Sequence, residues 1–180
     1  MNLTSWVFNN ASSTDFSIYF KRAPVPDIVD KPKNIIYFYL EGLERNYFND
    51  ELFPGLMPEL KKIKQKSISF TNVKQVTGAS WTMAGMVASQ CGLPLLTLFT
   101  NHEFFMKTFM PDVVCLGDIL RAKDYHLEFM GGAETEFAGK GLFYQSHGFA
   151  NVQGAKELLQ SNPDASYVNS WGFMMIRFIH

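Results

Sequence analysis

The chain has 180 residues, 47% of them hydrophobic and 15% aromatic, which is enough apolar material to bury a core and excludes a disordered polypeptide. Its 16 basic and 17 acidic residues leave a formal net charge of -1 and no electrostatic footprint for nucleic acid. Met1 to Ser17 lacks the basic and apolar regions of a signal peptide, and no window approaches the roughly 20 apolar residues of a spanning helix.

Residues 1–32 read as an irregular segment and linker, because the prolines between Arg22 and Pro32 spoil regular pairing. A domain is expected to start at Lys33. The run Asn34-Ile-Ile-Tyr-Phe-Tyr-Leu40 is continuously β-branched and aromatic, as in a central strand covered on both faces. Glu41 and Gly42 follow it directly, where open α/β sheets place their ligands. Met57 to Lys66 reads as a short amphipathic helix with Pro58 in its first turn, its lysines forming a solvated face. Ser67 to Val73 alternates polar and apolar and predicts a second strand.

After Gly78-Ala-Ser80, residues Trp81 to Gln90 are helical in character, which sets Thr82 at or near a helix N-terminus. Trp81 to Phe99 as a whole reads as a buried helix followed by a turn. Further helices are predicted over Val113 to Asp124, Phe143 to His147 and Ala155 to Gln160, with a strand over His126 to Met130 and a turn at Gly131-Gly132. Strand, helix, strand, helix, strand is the order of a layered α/β sheet with right-handed crossovers.

Thr82 is the most informative position. A hydroxyl at a helix N-terminus meets free backbone N–H groups and a positive dipole end, where a phosphate can be held; threonine attacks such a group only when a base or a cation activates it. The alternative is that Thr82 merely caps the helix. Glu41 is the first candidate ligand for a hard divalent cation, and Glu44, one turn on, either shares that site or pairs with Arg45. His102, His126, His147 and His180 show no ligand spacing, and no G-x-S-x-G, P-loop or C-x-x-C is present. Cys91 and Cys115 stand as a structural disulfide or as two buried thiols.

Tyr37 to Phe48, Thr77 to Pro94 and Cys115 to Leu120, with Phe137-Ala-Gly-Lys-Gly-Leu-Phe143, Ser146-His-Gly-Phe149 and Trp171-Gly-Phe173, resemble the phosphoglycerol transferase I family. These enzymes decorate osmoregulated periplasmic glucans, belong to the alkaline-phosphatase/sulfatase superfamily and are similar to lipoteichoic acid synthase. The resemblance implies an α/β fold, here an incomplete sulfatase-like layered sheet of mainly parallel strands with helices on both faces. Residues 33–173 would be the N-terminal part of the catalytic domain and 174–180 an atypical tail of the kind a frameshift leaves.

The resemblance further implies that Thr82 is the nucleophile, carrying phosphoglycerol as a covalent intermediate, and that Glu41 and Thr82 ligate a divalent metal, manganese by analogy with the synthases. Lys140 inherits a substrate-binding role. Phosphatidylglycerol and a periplasmic glucan are the implied substrates, and the periplasmic face of the inner membrane the implied location. The matched Cys91 and Cys115 favour a disulfide there. The family completes its metal site with an Asp-His pair and a further His well downstream, so a chain of this extent is expected to be inactive alone or completed by a separate chain. Two other readings are a sulfatase- or phosphatase-type hydrolase using the same threonine, and a non-catalytic module binding glucan or lipid head groups.

Overall fold

The computed structural model describes residues 33–95, 107–161, 168–169 and 172–173. The readings made for residues 1–32, for the turn beyond Leu95, for His102, for Trp171 and for the tail 174–180 with His180 lie outside the described residues. Those from Asn34 onward form one compact unit.

Helix α1, Pro58–Gln65, begins on its proline, whose missing N–H has no intrahelical acceptor to lose, and Lys62 donates to Glu59 at 2.7 Å on its solvent side. Helix α2, Thr82–Cys91, is the centre of the molecule: Met83, Ala84, Met86 and Val87 recur at helical spacing and are buried. Gly92 ends it in a left-handed conformation, φ 70°, which a side-chain-bearing residue adopts at a cost. Helix α3, Leu116–Arg121, starts at Cys115, whose backbone N–H donates to the Asp118 carboxylate at 2.9 Å.

Strand β1, Glu128–Met130, leads through helix α4, Lys140–Ser146, to strand β2, Asn151–Gln153, which pairs with β1 in parallel with Phe129 opposite Val152. This is a β-α-β crossover, the unit that joins parallel strands. Helix α5, Ala155–Ser161, follows, and strands β3, Val168–Asn169, and β4, Gly172–Phe173, form a small antiparallel pair.

One cluster ties these pieces together. Met83, Met86 and Val87 of α2 meet Phe109, Cys115, and Phe143 and Tyr144 of α4, with Tyr39, Phe129 and Val152 packed at its edge. The ring of Phe129 stacks on Tyr144 with centroids 4.0 Å apart, and Phe109 meets Phe143 edge-on at 5.4 Å.

Two predicted strands are absent. Asn34–Leu40 and Ser67–Val73 have no strand assignment, and Ile36 is 77% and Phe70 81% exposed. A strand exists only where neighbouring main chain accepts and donates its hydrogen bonds. β1 and β2 pair with each other, and among the described residues no strand is paired with either run. Asn151–Gln153, too polar to announce itself, supplies the second parallel strand in their place.

Candidate active site

Glu41 lies at the end of the extended segment Asn34–Leu40, and Gly42 behind it, φ 76°, turns the chain away so that the carboxylate projects at a bend. The segment is anchored by its one half-buried aromatic: Tyr39 Oη is 2.7 Å from Ser89 Oγ, and Gln90 Nε2 donates to it at 2.9 Å. Both partners belong to α2. The register of the segment along that helix is thereby fixed, and Glu41 arrives at the helix's N-terminal end.

There it meets Thr82, the first residue of α2. Thr82 Oγ1 donates to Glu41, standing 2.8 Å from both Oε1 and Oε2. The capping alternative does not hold. Trp81 occupies the N-cap position, and the threonine hydroxyl is turned to the carboxylate rather than to a backbone N–H. The carboxylate also sits at the positive end of the helix dipole, where negative charge is favoured.

Lys140, at the start of α4, interacts electrostatically with the same carboxylate. It is buried, and desolvation pushes its pKa below the usual lysine value, while the Glu41 carboxylate opposes that shift by favouring the ammonium. Its Nζ stands 5.1 Å from the centroid of the Phe137 ring, a cation–π contact within the turn that precedes the helix. That turn is bent sharply at Ala138, whose φ of 57° is left-handed for a residue with a side chain. Two separate elements thus bring Glu41 and Thr82 into contact, and Lys140, on a third, feels the charge of that carboxylate.

Of the two readings of Glu44, the pairing with Arg45 is not seen among the described residues: Arg45 donates to the carbonyl of Thr71 at 2.6 Å. His126 is exposed beside Glu128 at 3.1 Å. The described residues thus provide Glu41 and Thr82 as hard oxygen donors, a set that suits manganese or magnesium rather than a thiolate-preferring ion.

The spacing of the histidines did not point to a second constellation. Cys91, the last residue of α2, is disulfide-bonded to Cys115 at the start of α3. His147 lies buried beside them, with Nε2 3.7 Å from Cys115 Sγ and Nδ1 2.7 Å from Asp118 Oδ2. The available signal was the Cys115-x-x-Asp118 pattern of a capping pair, which places the carboxylate at the N-terminus of α3.

A model of the sulfatase family, described as Sulfatase, matches residues 33–175. The chain is 45% identical over 88% of its length to the phosphoglycerol transferase I of Salmonella choleraesuis strain SC-B67, 46% identical to that of Escherichia fergusonii and 44% to that of Salmonella typhimurium. It spans about a fifth of those relatives, 21% of each. No solved structure matches. With its parallel β-α-β unit and flanking helices, the chain belongs to the sulfatase family.

Proposed function

We propose that this chain carries the nucleophile half of a phosphoglycerol transferase site, with Thr82 as the attacking group. The observation that carries the reading is the double contact of the Thr82 hydroxyl with Glu41 at the mouth of α2, beside a buried lysine. The names of the relatives support the reaction class.

In this proposal phosphatidylglycerol is the donor and a periplasmic glucan the acceptor, at the periplasmic face of the membrane. Glu41 orients Thr82 Oγ1 and lowers the cost of removing its proton. The oxygen attacks phosphorus, the bond to the diacylglycerol oxygen breaks, and diacylglycerol departs with a proton. A glucan hydroxyl then attacks the same phosphorus, releasing Thr82. Lys140 balances charge on the phosphoryl oxygens, and its burial makes that charge count for more than it would in water. Glu41 and Thr82 would hold a divalent cation, manganese in this proposal, which when bound supplies Lewis acidity to the same phosphoryl group. Further ligands would come from residues beyond those described, on this or another chain.

Incubation with phosphatidylglycerol and manganese, in the presence of a chain that supplies the remaining ligands, followed by peptide mass spectrometry, tests the reading. The expected result is a phosphoglycerol adduct on the peptide containing Thr82, absent from Thr82→Ala. An adduct on another residue, or diacylglycerol release that Thr82→Ala leaves intact, would overturn it.

A further inference from the structure

We propose that Cys91, Cys115 and His147 form a redox-gated metal site which, once their disulfide is reduced, binds a thiolate-preferring divalent ion of zinc's class. The ligand atoms of the three residues all lie within 4.8 Å of one another. His147 Nε2 stands 3.7 Å from Cys115 Sγ. Tetrahedral zinc, with bonds of about 2.3 Å to sulfur and 2.0–2.1 Å to nitrogen, sets those two atoms roughly 3.5 Å apart, so the pair is nearly in position before any ion arrives.

The imidazole is also oriented for the task. Its Nδ1–H donates to Asp118 Oδ2 at 2.7 Å, which leaves the Nε2 lone pair facing the sulfur. A disulfide sulfur has no proton to offer that lone pair, whereas a metal ion accepts it. The carboxylate behind the imidazole is itself fixed by the Cys115 backbone N–H at 2.9 Å, giving the carboxylate-histidine arrangement that tunes metal-ligating imidazoles. His147 and Cys115 are 2% and 1% exposed, a dry shell that strengthens thiolate coordination, while Cys91 is only half-buried and offers the way in.

The gate is thiol-disulfide exchange with a small or protein dithiol. One reductant thiolate attacks the more accessible Cys91 Sγ, the bond between the cysteines breaks, and Cys115 leaves as thiolate. The second reductant thiol then displaces Cys91, and the reductant ends as its own disulfide, having given two electrons to the pair. Coordination as two thiolates releases the thiol protons, with solvent completing the fourth position. The ion then takes over from the covalent bond as the staple between α2, which carries Thr82 at its other end, and α3.

Cobalt is the probe. The full chain is reduced anaerobically with dithiol, desalted, checked by far-UV circular dichroism and titrated with Co²⁺, then with Zn²⁺. The expected result is a thiolate-to-cobalt charge-transfer band that saturates at one ion per chain, is erased by zinc, and is missing from the oxidised chain. An oxygen-ligated cobalt at Glu41 and Thr82 gives no such band. Asp118→Asn should weaken binding roughly 10- to 100-fold, as loss of a supporting carboxylate does elsewhere, and His147→Gln at least as much. Because either variant can misfold, zinc protection of Cys91 and Cys115 against alkylation in the unmodified chain is the second readout. No band in the reduced chain, no protection, an unchanged affinity in His147→Gln, or a helical signal lost on reduction that zinc fails to restore would each overturn the proposal.

Discussion

Thr82 and Lys140 act on Glu41 in the same sense, since a donated hydroxyl proton and a nearby positive charge both favour the ionised carboxylate. Burial lowers the folded-state pKa of Lys140, so the unfolded chain holds that proton more tightly. Stability is therefore lower while the lysine is protonated and rises as pH climbs from the folded pKa toward the usual lysine value. Lys140→Met should flatten this rise, read as denaturant midpoints across alkaline pH, while lowering transfer to Thr82 by about 100- to 1,000-fold, the cost of losing one preorganised charge partner. A variant that keeps the wild-type pH dependence would contradict the assignment. Tyr144 is shifted far upward by burial, with Tyr39 contributing, so it should escape spectrophotometric titration until the chain unfolds.

At the scale of elements, α2 holds both the proposed nucleophile, Thr82, and much of the core. Met83 is fully buried one residue after Thr82, so Met83→Ala should cost about 2–5 kcal/mol in denaturant unfolding, as other large-to-small core changes do. On α3, a Cβ at Gly117 would run into the His147 carbonyl and come within 2.8 Å of the Phe149 ring. Gly117→Ala should therefore cost about 1–3 kcal/mol by overpacking. The helices were the legible part of the fold. Pro58, the apolar spacing of Met83, Met86 and Val87, and the run from Ala155 mark them through local chemistry alone. Asn34–Leu40 has a strand's composition, yet pairing depends on distant main chain that no local pattern reports, and Asn151–Gln153 pairs without strand-like residues for the same reason. Thr82 and Glu41 were singled out by their positions beside helix and apolar run, but their meeting across 41 residues of sequence rests on Tyr39 reaching Ser89 and Gln90. The His147 cluster was hard to read because Cys115-x-x-Asp118 is its only local pattern, while Cys91 and His147 come from distant segments.

Across the whole molecule, the apolar side chains of Ile35, Ile36 and Phe38 and those of Ile68, Phe70 and Val73 face solvent, more apolar surface than a freely soluble chain usually leaves open. The chain should self-associate with rising concentration in light scattering, and Phe70→Lys with Ile36→Lys should suppress this without loss of helical signal. None of these side chains belongs to the proposed half-site of Glu41 and Thr82. Manganese titration followed by electron paramagnetic resonance tests that half-site most directly, because free and bound ions are counted separately. Binding should be lost in Glu41→Ala and in Thr82→Ala and strengthened in Lys140→Met, where a competing positive charge is gone. Manganese binding that is undetectable, or that Glu41→Ala leaves unchanged, would contradict it.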